Sequence, residues 1–301
     1  MTSIARVGFM TSRITRIAAV LSGCLLLDAV AGASADDATV RQEVCPRDDV
    51  LLPAEARSGS VLFGEMHGSV EAPAFFLGAV CSALRDRSVP AVVVGLEFPL
   101  EQSEPIAAYL DSAGRPADGT ALLSTAFWRR SEQDGRTSAA MFELVEGLRV
   151  LSHADSRLQV AVFDDRSGDA RGERERMMAR AWQKSRAAHP GAMSLALTGN
   201  LHARRTAGFA GDPAYRPMAM HLDGPVATYA FRGNGGRIWA CMADGCGIHD
   251  QPGRDDAAST PDWRMERVVP SQNYDGLVDL GPYSPSPPAV AVYGTHTQPG
   301  D

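Results

Sequence analysis

The chain has 301 residues, of which 45% are hydrophobic, 22% charged and 7% aromatic, which suits one globular domain with a large core. Lys+Arg number 29 against 36 Asp+Glu, a formal net charge of −7, and no basic stripe is interleaved with aromatics. Nucleic acid and anionic membrane surfaces are therefore set aside as partners.

Residues 1–35 read as an export signal. Arg6, Arg13 and Arg16 form a positive region, Ile17 to Leu27 an apolar run, and Ala33-Ser34-Ala35 a small-x-small cleavage site before Asp36-Asp37. The run is too short, with Asp28 at its end, to span a bilayer. The expected location is periplasmic or secreted. The alternative is an outer-membrane lipoprotein, with Leu21-Ser22-Gly23-Cys24 as the lipoprotein box, and membrane association then follows only from lipidation of Cys24. Against it, Leu25-Leu26-Leu27 continues the apolar run past the cysteine. Export favours disulfides over zinc thiolates for Cys45, Cys81, Cys241 and Cys246. Of the three pairings open to four cysteines, the expected one closes a small loop between Cys241 and Cys246 and joins Cys45 to Cys81.

From there strands alternate with helices. Val61–Gly64 is a strand, and 72–87 a helix with Phe75, Phe76, Ala79, Val80 and Leu84 on one face. Ala91–Leu96 is a second apolar run, closed by Glu97, and fits a strand buried on both faces. A short helix over 106–110 precedes a longer one over 137–151, where Met141, Leu144, Val145, Leu148 and Leu151 recur at helical spacing and Thr137 or Ser138 is the cap. Leu158–Phe163 is a strand ending in Asp164-Asp165, 169–188 a charged helix and Met193–Thr198 the fourth strand. Val226–Arg232 and Arg237–Met242 flank Gly233-Asn234-Gly235-Gly236 and predict a hairpin with its turn at Asn-Gly. Residues 251–262 read as loop, and Pro282, Pro285, Pro287 and Pro288 predict an irregular tail within 251–301. The expected fold is α/β: a mainly parallel central sheet flanked by helices, core about 58–245, extended by a C-terminal antiparallel β-hairpin.

The chemistry concentrates in two short segments, Gly64-Glu65-Met66-His67 and Gly199-Asn200-Leu201-His202, each ending an apolar run. Strand ends face the crevice of an α/β sheet, so two such histidines suggest one site assembled from two strand tips. Alternate strand residues share a face, so Glu65 and His67 point the same way, and Glu97 ends its strand in the same manner. His67, His202, Glu65 and Glu97 suit a divalent metal with an open water position. Without metal, a histidine held by a carboxylate deprotonates water as a general base. Gly64 and Gly199 allow close approach, and Asn200 is expected to open a helix whose N-terminus favours an anion. Arg174 is a candidate for steadying such charge. His153, His189, His221, His249 and His296 read as surface residues, and Met177 and Met178 as core. No Gly-x-Ser-x-Gly, His-Glu-x-x-His, Gly-x-Gly-x-x-Gly or Walker string occurs, which leaves serine-elbow, zincin and nucleotide chemistry unsupported.

Paired Gly-x-x-His motifs, a Glu after the second strand and an Arg-containing helix before the second motif resemble the group uniting erythromycin esterases, ChaN-type haem-uptake lipoproteins, and TraB and Tiki proteins. The matching positions are Gly64 and His67, Glu97, Arg174, Gly199 and His202. Glu65 and the Gly68-Ser69-Val70-Glu71 continuation are similar to the esterase and ChaN branches. The resemblance implies a hydrolase, esterase- or metalloprotease-like, acting on a small-molecule or peptide substrate, with His67 activating water or ligating metal. His202, Glu65, Glu97 and Arg174 would be its other catalytic residues. The alternative it implies is a non-catalytic haem- or metal-binding protein, for which Tyr109, Tyr215 and Tyr229 are candidate axial ligands. The first motif is one residue shorter than the esterases' Gly-Glu-x-x-His, and Glu175 stands where relatives have Asn or Asp. The substrate is not carried over.

Overall fold

The computed structural model describes residues 44–45, 50–167, 171–209, 211–253, 265–267 and 273–294, all within one compact unit spanning 35–301. The expected signal 1–35 with Cys24, His296, and most of the 251–262 loop lie outside the described residues. A one-turn helix α1 (Glu55–Ser58) leads into β1 (Ser60–Glu65), α2 (Glu71–Arg85), β2 (Val92–Pro99), α3 (Ser103–Leu110), α4 (Pro116–Leu123) and α5 (Ala139–Ala154). Then come β3 (Leu158–Asp164), α6 (Arg171–Ala187), β4 (Met193–Gly199), β5 (Val226–Met242), β6 (Gly245–Asp250), β7 (Met265–Arg267), β8 (Gly276–Tyr283) and α7 (Ala289–Tyr293).

The sheet runs β3-β2-β4-β1-β5-β8-β7. Every pairing from β3 to β8 along this path is parallel; β7 on β8 and β6 on β5 are antiparallel. The central strands are continuous apolar runs because both faces are covered. Val61 and Phe63 join one core cluster and Leu62 the other; Val92, Val94 and Leu96 face the first and Val93 the second. The first cluster packs α2 and α5, around a knot of Phe63, Phe75, Phe76, Tyr229 and Phe231. The second lies under α6, through Met178, Ala179 and Trp182. The Trp182 ring lies flush against β2 at Gly95, where a Cβ would come within 2.7 Å of it. This is the expected helix–sheet–helix sandwich, which turns the C-terminal tips of β1–β4 toward one edge.

Three expectations change. The Gly233-Asn234-Gly235-Gly236 run is no turn. It lies inside β5, where Gly235 (φ 73) and Gly236 (φ 80) bulge against β8 and let the ring of Tyr283 lie on Gly233. The bulge bends β5 off the main sheet, so its outer half pairs with β6 through a turn at Ala243-Asp244. The hairpin exists, one strand further on. Second, the tail is not irregular throughout: β8 occupies 276–283 and adds parallel to β5. Its Pro282 sits near the strand end, where a missing N–H costs little. Third, no helix opens at Asn200; residues 200–203 form turns. Gly64 explains that geometry, since its missing Cβ admits the Cα of Asn200 and the Cβ of Ala203 to 3.0 Å.

The cysteines pair as expected. Cys45–Cys81 ties the segment before β1 to α2, and Cys241–Cys246 joins directly opposed residues of β5 and β6. No helix among the described residues is long and apolar enough to cross a membrane.

Candidate active site

Four strand tips supply the site. β1 ends at Glu65 with His67 just beyond, β2 carries Glu97, β3 ends at Asp164, and β4 ends at Gly199 with His202 one turn on. In the sheet β4 lies between β1 and β2, so the two Gly-x-x-His segments are neighbours. All five residues expected from the sequence converge here.

Glu97 is the hub, buried to 4% exposure. Its Oε2 accepts from Thr198 Oγ1 at 2.8 Å and the Gly199 amide at 2.5 Å. Its Oε1 faces Arg136 Nη1 at 3.4 Å, Arg174 Nη2 at 3.3 Å and His202 Nε2 at 3.4 Å. Burial would push this carboxyl up, but His202, His67 and Arg136 outweigh it and hold Glu97 well below the usual carboxylate range. It stays an anion.

His67 donates Nδ1–H to Glu65 Oε1 at 3.0 Å, since an ionised carboxylate only accepts, and this fixes the tautomer. Its Nε2 is 3.9 Å from Glu97 Oε2, too far for a direct hydrogen bond, so the lone pair remains available. Burial lowers the His67 pKa, but Glu65 and Glu97 reverse this and leave it raised. His202 is held at both nitrogens, Nδ1 lying 2.8 Å from Glu175 Oε2. Burial again opposes charging, yet Glu97 and Glu175 prevail and push its pKa up to about 9. His202 is thus an imidazolium at neutral pH.

A methyl built on Gly199 would lie 3.1 Å from His67 Nε2 and 3.4 Å from both Glu97 Oε2 and His202 Cδ2. Both rings therefore lie against Gly199. Arg174, from α6, lies 3.3 Å from His202 Nε2 and pairs with Asp164 at 2.9 Å.

Arg136 and Asp164 were not proposed as site residues from the sequence, and Glu175 was noted only where its relatives have Asn or Asp. Arg136 reaches both Glu97 and Asp164, the latter at 3.0 Å, from the loop before α5. Asp164 anchors Arg136, Arg166 and Arg174. Glu175 orients His202 and also accepts the Met218 amide at 2.8 Å. Asp164 ends an apolar strand as Glu97 does, a signal that was present.

The side chains as arranged do not fit a divalent metal. Glu97 has both oxygens occupied by donors, two of them guanidinium groups, and His67 Nδ1 is taken by Glu65. Of the carboxylate oxygens of Glu65 and Glu97, Glu65 Oε2 is the one buried without a hydrogen-bond partner, where a zinc site needs about three protein ligands. Among those residues no group of three or more His, Cys, Asp or Glu is placed to hold an ion. Of the tyrosines, Tyr109 bonds Glu146 and Tyr215 faces His202 Nδ1 at 3.4 Å, and burial drives both pKa values upward. Tyr229 lies in the aromatic knot of the core.

No family model matches the chain, and no curated protein matches its sequence. Solved structures do. A succinoglycan biosynthesis protein superposes with a TM-score of 0.54 and 8% identity, over 85% of this chain and 99% of its own. The fold is shared. A Bacillus cereus protein gives 0.49 and 9%, over 84% and 99% of the two chains. A mutant of the erythromycin esterase EreC in its open conformation gives 0.47 and 14%, over 77% and 92%.

Proposed function

We propose that the chain is an exported hydrolase of carboxylic esters in which His67 is the general base. The observation that carries this is the pairing of Glu65 with His67 Nδ1, which leaves the other ring nitrogen, Nε2, beside Gly199. His67 Nε2 takes a proton from water, and the hydroxide adds to the ester carbonyl. The oxyanion forms beside protonated His202 and the Arg174 guanidinium, two cations preorganised by Glu175, Glu97 and Asp164. Collapse expels the alkoxide, which recovers the proton from His67, so ester and water become acid and alcohol. Export is supported by the N-terminal segment and by the two disulfides.

The test is turnover of a panel of aryl and alkyl esters and lactones by the purified chain. His67→Ala is expected to lose roughly 10²- to 10⁴-fold in kcat, the span of general-base catalysis, with its melting temperature kept. Glu65→Gln, which spoils the tautomer, is expected to lose less. Full turnover by His67→Ala on a substrate the wild type hydrolyses ends this reading.

A further inference from the structure

Trp239, on the outer half of β5, touches two loops of the centre at once. Its backbone N–H donates to Gly68 O at 2.9 Å, and its indole Nε1–H to Gln133 O at 2.7 Å. Gly68 has φ 92, and any side chain there would run into the Trp239 carbonyl. Gly135, also at φ 92, lies so close that its Cβ would stand 2.5 Å from Gly68 N and 2.7 Å from His67 C. The 67–68 strap, the 133–135 loop and Trp239 therefore stack with no room between them. His67 precedes Gly68, and Arg136 follows Gly135, so each functional side chain is one residue from the stack. Gln133 carries the loop as a unit through bonds to Trp128 O at 3.1 Å and Arg130 O at 2.6 Å.

Two residues beyond Trp239, Cys241 is bonded to Cys246 near the tip of the β5–β6 hairpin. The tip from Cys241 to Cys246 is exposed. Ile238 and Ala240 pack the outer half of β5 on the first core cluster, but the tip beyond them is uncovered, and a two-stranded tip is marginal in water, so the covalent tie holds its register.

We infer that the β5–β6 hairpin is a positioning element: Trp239 sets where His67 and Arg136 stand, and the Cys241–Cys246 bond holds Trp239 there. The kinetic consequence rests on the hydrolase reading; the position of His67 does not. The charged groups that face His67 are Glu65 from β1, Glu97 from β2, and Asp134 and Arg136 from the loop. His202 is anchored elsewhere, by Glu175 on α6 and Glu97 on β2, and serves as the internal control.

The experiment compares wild type, Trp239→Phe and the double variant Cys241→Ser/Cys246→Ser. Nitrogen-15 NMR follows both histidines through a pH titration of ligand-free protein, and kcat and KM are measured on any ester turned over. In both variants the raised His67 pKa is expected to fall back toward 6.5, as the ring slips from its carboxylates, while His202 keeps its value. A misplacement of this kind is expected to lower kcat by about ten- to a hundredfold with KM little changed. An unchanged His67 titration in both variants overturns the inference, as does a joint shift of both histidines with a fall in melting temperature. If no ester is hydrolysed by any form, the hydrolase reading fails, and the titration still decides this one.

Discussion

Gly199→Ala separates a reacting space from a merely packed one. The backbone there is not left-handed, so alanine costs no strain in φ, and it removes conformational freedom from the unfolded chain, worth about 0.4–1 kcal/mol in stability. Against this, the new methyl would meet His67 Nε2 at 3.1 Å, a tight contact, and Glu97 Oε2 and His202 Cδ2 at an ordinary 3.4 Å. The two effects are similar in size and opposed, so the folding free energy is expected to change by less than about 1 kcal/mol. The catalytic effect is not balanced. The methyl presses on His67 Nε2, the atom to which a water molecule must donate. Losing that geometry forfeits the general base, roughly 10²- to 10⁴-fold in kcat. The assay is ester turnover beside urea unfolding of the same preparation. If Gly199→Ala keeps wild-type kcat at unchanged stability, the reaction does not occur between the two rings, and the assignment of His67 fails with it.

Activity is expected to form a bell against pH. It rises as His67, raised above 6.5, loses its proton, and falls near pH 9 as His202 loses the charge that steadies the oxyanion. Glu175→Gln removes one of the carboxylates that raise His202, so the alkaline limb is expected to move down; a limb that stays at about 9 excludes His202 as its source. The same group links to stability. Its contribution is complete below the unfolded value of 6.5 and is lost as pH climbs through about 9, which unfolding curves across that interval check. Gly95→Ala drives a Cβ to within 2.7 Å of Trp182 and 3.1 Å of Phe163; overpacking is expected to cost about 1–3 kcal/mol in urea unfolding. Replacing Cys45 and Cys81 together by alanine frees a 36-residue separation, and chain entropy puts the loss at about 4 kcal/mol.

Much of the sheet was legible because its strands are covered on both faces. A continuous apolar run closed by a charged residue marks both the strand and the chemistry at its tip, as with Glu65 and Glu97. Glu175 was hidden differently. It lies in a helix so charged that no single acid stands out, yet Glu175, Met178, Ala179 and Trp182 are spaced i, i+3, i+4 and i+7 and all are buried. A carboxylate on the apolar stripe was the available clue. Arg136 had none, because its loop follows no periodicity and its place is set by the contact of Gly135 with Gly68. The Gly-rich run in β5 misled for a physical reason. Positive-φ glycines serve bulges as well as turns, and only the partner strand β8 distinguishes them. β8 itself was obscured by the prolines around it.

The strand order also dictates when the centre comes into being. β1 and β2 do not touch each other; each pairs with β4, which lies about a hundred residues beyond β2 in the chain and fills the slot between them. Until that strand is threaded, two apolar edges lie open and Glu97 has neither Thr198 nor Gly199 to bind. A chain halted before β4 therefore carries Glu65, His67 and Glu97 but assembles nothing from them. The cluster around Glu97 is therefore complete only once the fourth strand is in place.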